Sequence, residues 1–285
     1  MEEVTKDTFH NKKHYEDLYG SVHVADIVDR VDNLESFLED AIKTDTSWHG
    51  LYLNDFASKI TGKKVLELGC GNGLNALIMA ALGAEVIAVD IASESEKLIR
   101  EAACDLRIDN IEAITGDFVD LPLKAGHFDF IVGKAFLHHL THDVEFSYIS
   151  RMATLLKSDG EARFFEPAIN SELLDALRWM IPAPGRPSKL SKEKFSIWKA
   201  NDPHPERDNS SEHFVNMGKQ FFNHVTIVPI GSIERFHRLL PQGGINRKFR
   251  RWSHRIETKL PMWLRMKAAR SQVIRYREPI NSADK

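Results

Sequence analysis

The sequence predicts an α/β fold in which a mainly parallel sheet carries helices on both faces, and three observations predict it. From residue 63 onward, short apolar runs of strand length alternate with amphipathic runs of helix length. A glycine-rich turn, Gly69-Cys70-Gly71-Asn72-Gly73, stands between the first apolar run and the helix that follows. Acidic residues recur just after the apolar runs, at the carboxyl ends where open parallel sheets bind ligands.

Residues 22–42 read as an amphipathic helix, because Val24, Ile27, Val28, Val31, Leu34, Leu38 and Ala41 recur at three- and four-residue steps. Before it, His10, His14, Tyr15 and Tyr19 approach a helix end at Gly20. A second helix is expected from Leu51 to Ile60, so residues 1–62 form an N-terminal helical cap. The strands follow at Val65–Leu68, Glu85–Val89, Ile111–Thr115, Phe128–Val132 and Glu161–Phe165. Helices lie between them at about 74–82, 93–106 and 144–156, the last ending at Ser158-Asp159-Gly160. After Glu166-Pro167 a helix at 171–180 enters a stretch with Pro182, Pro184, Pro187, Pro203 and Pro205, which reads as a lid or acceptor insertion over 171–220. Val225–Ile230 and Ser271–Tyr276 are the remaining strand candidates, and residues 63–285 make up the main domain.

Composition bounds the class. The 285 residues are 42% apolar and 28% charged, the balance of a folded globular protein. Two cysteines, Cys70 and Cys104, cannot build a disulfide framework. The polar N-terminal residues are no secretory leader, and no apolar run reaches spanning length, so a soluble, cytoplasmic chain is expected. The net charge of −3 conceals an imbalance, for residues 235–285 carry +11 against −14 in the rest.

The chemistry is carried by Glu67-Leu68-Gly69-Cys70-Gly71-Asn72-Gly73. Glycines between strand and helix let a ligand approach the backbone. A dinucleotide fingerprint needs its third glycine at position 74, which is Leu74. Glu67 is a poor neighbour for a pyrophosphate and suits a cationic ligand. Asp90, 21 residues after Gly69, can accept from both hydroxyls of a ribose. Asp117, with Phe118 beside it, is placed to meet an adenine amino group.

On these residues the chain resembles the class I S-adenosylmethionine-dependent methyltransferases, over roughly residues 63–167. The resemblance implies a Rossmann-like seven-stranded sheet whose last strand is antiparallel and inserted between the fifth and sixth. It implies S-adenosylmethionine as cofactor. Gly69, Gly71 and Gly73 would meet the methionine portion, with Glu67 and Cys70 in the same motif. Asp90 and Ile91 would meet the ribose, and Asp117 and Phe118 the adenine. Tyr15, Tyr19 and Trp48 either close the pocket from the N-terminal side or are plain core aromatics, the commoner case.

Residues after the fourth strand usually face the methyl acceptor, here Gly133-Lys134-Ala135-Phe136-Leu137-His138-His139-Leu140. No Asn-Pro-Pro-Tyr-like tetrapeptide occurs, which argues against methylation of exocyclic adenine or glutamine nitrogens. His138 or His139 is the candidate general base; packing and helix capping are the plainer roles. Lys134 and Glu166 end strands four and five, as a buried pair or as substrate contacts. His138 and His142 lie four apart beside Asp143, but with no third ligand placed, no metal is expected.

The expected function is methyl transfer to a small-molecule acceptor, O or N before C, in a biosynthetic pathway. Alternatives are C-methylation of a prenyl diphosphate with or without cyclisation, a membrane-associated lipid or quinone acceptor, and a non-catalytic cofactor-binding module. The basic stretch 247–270 can be a packed helix with a charged outer face, a holder for an anionic acceptor, or a peripheral membrane contact. No RNA-binding module accompanies it. Oligomeric state is not legible.

Overall fold

A computed structural model describes residues 12, 13, 15–182, 185–202 and 204–280. His10, His14, Pro184 and Pro203 fall outside them. After a helical stretch at 15–19, the cap comprises α1 (Val24–Asp32), α2 (Leu34–Thr44), α3 (Thr46–Leu51) and the short α4 (Phe56–Lys59). The helix expected over 22–42 is therefore two, broken at Asn33, whose φ of −96° and ψ of 33° leave the helical region. The helix expected over 51–60 is replaced by α3 and α4. Asp45 starts α3 by accepting from Ser47 N and Trp48 N at 2.8 and 3.2 Å. Asn54 and Asp55, both at positive φ, then separate the two helices.

The alternating region gives β1 (Lys64–Leu68), α5 (Leu74–Ala81), β2 (Glu85–Asp90), α6 (Ser93–Leu106), β3 (Ile111–Thr115), β4 (Phe128–Lys134), α7 (His142–Leu155) and β5 (Leu156–Pro167). Helix α7 passes into β5 without a break. Ser158-Asp159-Gly160 lies inside the strand and does not cap the helix. Then follow α8 (Glu172–Met180), α9 (Lys192–Ala200), α10 (Ser211–Gly218), β6 (Phe222–Ile230), α11 (Gly244–Glu257), α12 (Met262–Ala268) and β7 (Ser271–Pro279). The sheet order is β3-β2-β1-β4-β5-β7-β6. All pairs from β3 to β5 are parallel, while β7 runs antiparallel between β5 and β6. This is the expected seven-stranded plan.

Two apolar layers sandwich the sheet. On one side the cap helices, α5 and α6 pack against Val65, Val86, Ala88 and Val132. On the other, α7 and α10 pack against Leu66, Ile131, Phe164 and Ile274. The insertion at 171–220 divides accordingly: α10 buries Phe214 and Met217 in the core, whereas α8 and α9 bury no residue fully.

The basic segment folds back onto the cap. Arg247 and Arg251 of α11 bind Asp40 of α2 at 2.6 and 2.9 Å. His254 stacks on His49 at 4.0 Å between ring centroids. None of the described helices is long and apolar enough to cross a membrane.

Candidate active site

A cavity of about 170 Å³ opens at the carboxyl ends of β1, β2, β3 and β4. Of the residues singled out from sequence, Tyr15, Tyr19, Gly69, Asp90, Ile91, Asp117, Phe118 and His139 line it, whereas Gly71, Gly73, Glu67, Cys70 and Trp48 do not. Tyr15 from the same helical stretch as Tyr19, and Tyr148 from α7, complete its aromatic wall. Tyr15 and Tyr19 stack at 5.7 Å.

The glycine turn follows from steric need. Gly69, Gly71 and Gly73 all have positive φ, which residues with a Cβ rarely adopt. A Cβ on Gly73 would lie 2.1 Å from Ile99 Cγ1 of α6, and one on Gly69 would lie 2.3 Å from the Phe136 ring. Asp90 closes the turn from β2. Its Oδ2 accepts from Gly71 N at 2.9 Å and its Oδ1 from Ala92 N at 3.0 Å. Burial raises the Asp90 pKa, opposed by these backbone donors. Asp117 Oδ1 accepts from Tyr148 Oη at 2.8 Å and Val119 N at 3.1 Å. Phe118 is 2% exposed and packs on Tyr148, so it sits at the cavity floor more than across a ligand's face.

Glu67 lies below the loop, outside the cavity wall. Its Oε1 accepts from Asn75 Nδ2 at 2.7 Å, and Asn75 in turn accepts from Tyr52 Oη at 3.0 Å. Glu67 Oε2 is buried with no hydrogen-bond partner among the described residues. Burial raises the Glu67 pKa to about 7, against the pull of the Asn75 hydrogen bond and the nearby Lys134. Lys134 sits on the Trp48 ring, its Nζ 4.1 Å from the centroid, and burial lowers its pKa. Cys70 is buried in the same apolar layer. The Lys134–Glu166 pair considered from sequence does not form. Lys134 faces the cap, whereas Glu166 faces the turn after β4.

Glu166 is fully buried at the end of β5. Its Oε1 accepts from Phe136 N at 2.9 Å and Leu137 N at 2.7 Å, and its Oε2 from His138 N at 3.3 Å. His138 Nδ1 lies 2.7 Å from Oε2. A carboxylate only accepts, so Nδ1 is the donor of this pair. The turn itself is held in an uncommon conformation, for Ala135, in the cavity wall, has a φ of 61°.

His138, His139 and His204 gather beside this turn, offering ring nitrogens within 4.8 Å of one another. His139 Nδ1 lies 3.0 Å from Tyr15 Oη, and His204 Nδ1 lies 2.5 Å from Asp202 Oδ1. The rings of His138 and His204 are stacked, 9° from parallel. Parallel stacked rings do not aim their in-plane lone pairs at one point, so this arrangement is a poor metal cage. His142, of the pair considered for metal, stacks on His213, away from His138.

Sequence reasoning missed Tyr148, Glu96 and Arg207. Glu96 of α6 accepts from Thr115 N and Oγ1, steadying the strand end before Asp117. Arg207, nearly unexposed, donates to Leu137 O, Leu140 O and Glu145 Oε2 at 2.6 to 2.7 Å, tying the insertion to the histidine turn. An arginine in a proline-rich stretch gives no sequence signal of a partner 60 residues away.

The chain was compared with known proteins. A family model described as a methyltransferase domain matches residues 65–160. The O-antigen chain terminator bifunctional methyltransferase/kinase of Escherichia coli is 26% identical over 148 residues, 49% of this chain and 20% of that protein. The ubiquinone biosynthesis O-methyltransferase of Actinobacillus pleuropneumoniae is 34% identical over 113 residues, 38% of this chain and 47% of that one. The chain thus spans less than half the length of these curated relatives. Among solved structures, the geranyl diphosphate C-methyltransferase of Streptomyces coelicolor aligns with a TM-score of 0.51 at 15% identity, covering 78% of this chain and 75% of that one. The phosphoethanolamine N-methyltransferase 2 of Haemonchus contortus gives 0.51 at 14%, covering 92% and 61%. With the strand order, these likenesses mark residues 65–160 as similar to a methyltransferase domain, set in the fold that the solved methyltransferase structures share.

Proposed function

We propose that the protein transfers the methyl group of S-adenosylmethionine to an oxygen or nitrogen atom of a small-molecule acceptor. The observation that carries this reading is the Glu166–His138 dyad beside a cavity walled by Gly69, Asp90 and Asp117. The residues present fit the cofactor. Gly69 at the end of β1, the Asp90 carboxylate at the end of β2 and the Asp117 carboxylate after β3 line one cavity, with acceptors for the polar groups of a nucleoside and aromatic side chains beside them. Gly69, Gly71, Asp90, Ile91 and Asp117 would hold it, with Tyr19 as cover.

When bound, S-adenosylmethionine supplies an electrophilic methyl on a sulfonium sulfur. The chain's own work is to position the acceptor, exclude water and take a proton. Tyr15, Tyr19, Phe136 and Tyr148 supply the apolar walls. His138 Nε2 is the proton acceptor, with Glu166 fixing its tautomer and stabilising the imidazolium. His139, in the cavity wall, orients the incoming group.

The test has two steps. Calorimetric titration should give micromolar binding of S-adenosylmethionine and none of NAD. Screening hydroxyl- and amine-bearing acceptors should then yield S-adenosylhomocysteine. Tight cofactor binding with no turnover across the screen would favour a non-catalytic binding module instead.

A further inference from the structure

A further cavity, of about 200 Å³, lies between α8, Ile181, Pro182 and Arg186, and the 3₁₀ turn Glu234–Leu239. Five arginines line it: Arg178, Arg186, Arg235, Arg238 and Arg270. No acidic residue lines it among those described. The remaining wall is apolar, with Leu177, Ile181, Phe236 and Leu239 each between 41% and 62% exposed.

The acids nearby are already shared. Asp175 Oδ1 lies 3.7 Å from Arg178 Nη1, while its Oδ2 accepts from Trp179 Nε1 at 2.9 Å. Glu234 receives Arg270 at 3.2 Å and Arg250 at 2.8 Å, with His237 at 3.4 Å. Arg235 donates to Ala268 O, and Arg186 to Arg178 O and Ile181 O. Arg186 Nη1 is buried with no partner among the described residues. Burial lowers the pKa of Arg178, Arg238 and Arg270, and neighbouring guanidiniums lower it further, with Asp175 opposing at Arg178 and Glu234 at Arg270. Five like charges in one half-buried cleft are costly unless a ligand relieves them. Guanidinium forks match phosphate oxygens, and the apolar wall asks for a hydrocarbon beside them. A notch sharing Leu174, Arg178, Arg235 and Arg270 leads to Ala168, two residues beyond Glu166.

We propose that this cleft binds a phosphorylated amphiphile, and that this amphiphile is the methyl acceptor. The acceptor half of the statement rests on the methyl-transfer reading; the binding half does not.

The probes are n-decyl phosphate below its micelle concentration, n-decanol, inorganic phosphate, and vesicles containing phosphatidic acid, titrated into the whole protein. Decyl phosphate or the vesicles should bind at least tenfold more tightly than decanol and inorganic phosphate, with affinity falling as salt rises. Binding to the monomer assigns a free metabolite; binding to vesicles alone assigns a ligand presented by a bilayer. Arg178→Gln should weaken that binding at least tenfold. Arg238→Gln, at the rim of the cleft and outside every core cluster, should weaken it about fivefold. Cofactor affinity should be unchanged in both. Equal affinity for decanol and decyl phosphate, or decyl phosphate and vesicle binding untouched in both variants, overturns the proposal. Phosphate binding without any binding of S-adenosylmethionine leaves the site standing and removes the acceptor assignment.

Discussion

The Glu166 carboxylate holds the His138 imidazole at 2.7 Å with one oxygen and receives two backbone N–H groups of the same turn with the other. One buried acid thus builds the turn and sets the ring's tautomer. Glu166→Gln replaces an acceptor by an amide N–H facing other donors, so stability should fall by about 1–3 kcal/mol. Urea unfolding measures this, and an unchanged midpoint would mean the carboxylate does not organise the turn.

His138→Ala should lower turnover about 10²–10⁴-fold if the ring takes the proton. Cofactor affinity should be retained, since the ring stands outside the cofactor cavity. His139→Ala should affect both quantities, because His139 is part of that wall. Full activity in His138→Ala would assign the proton to another group.

Asp90→Ala should weaken S-adenosylmethionine binding at least tenfold. The substitution removes the carboxylate proposed to accept from the ribose and also releases Gly71 N and Ala92 N from their buried partner. Calorimetry on the folded variant decides it, and wild-type affinity would displace the site from this cavity.

At Gly73, φ is 76° and a Cβ would overlap Ile99. Gly73→Ala should therefore cost about 1–3 kcal/mol through overpacking alone, read as a lowered melting temperature. Pairing it with Ile99→Ala should recover part of the loss; no recovery would place the cost in the backbone.

His254 gives a pH dependence with a defined sign. Burial, then the adjacent His49, lowers its pKa to about 3, and neither ring nitrogen has a hydrogen-bond partner among the described residues. The unfolded chain protonates near 6.5, so the folded state binds fewer protons in between. Its contribution is whole above about pH 6.5 and is lost as pH falls towards about 3. His254→Leu should flatten the fall in melting temperature over that window; an unchanged slope would assign acid sensitivity elsewhere.

The sheet was legible because its central strands, β1 and the second half of β5 above all, are almost wholly buried and the strand segments are bounded by glycine and acid. Ile111–Thr115 has the bounds its composition suggested. The cap was less legible. The periodicity of Val24 to Ala41 continues across Asn33, so apolar spacing alone could not reveal the break. Gly69, Asp90 and Asp117 were readable because chemistry ties them to strand ends. The direction of Lys134 was not, since adjacent strand residues face opposite sides of the sheet and only the packed cap decides which side is occupied. Arg207 and the five-arginine cleft depend on contacts between distant segments, which no local pattern records.

The position of β7 between β5 and β6 has a consequence for the order of assembly. During synthesis β5 and β6 emerge first and cannot bond to each other, because the strand that joins them is made about 40 residues after β6. The half of the sheet from β3 to β5 can close early, from near-neighbour segments. The other half waits on long-range pairing, leaving β5 with an open hydrogen-bonding edge until β7 arrives. Nascent chains stalled between residues 230 and 271 are accordingly the species in which this protein is most exposed to misassembly and to chaperone capture.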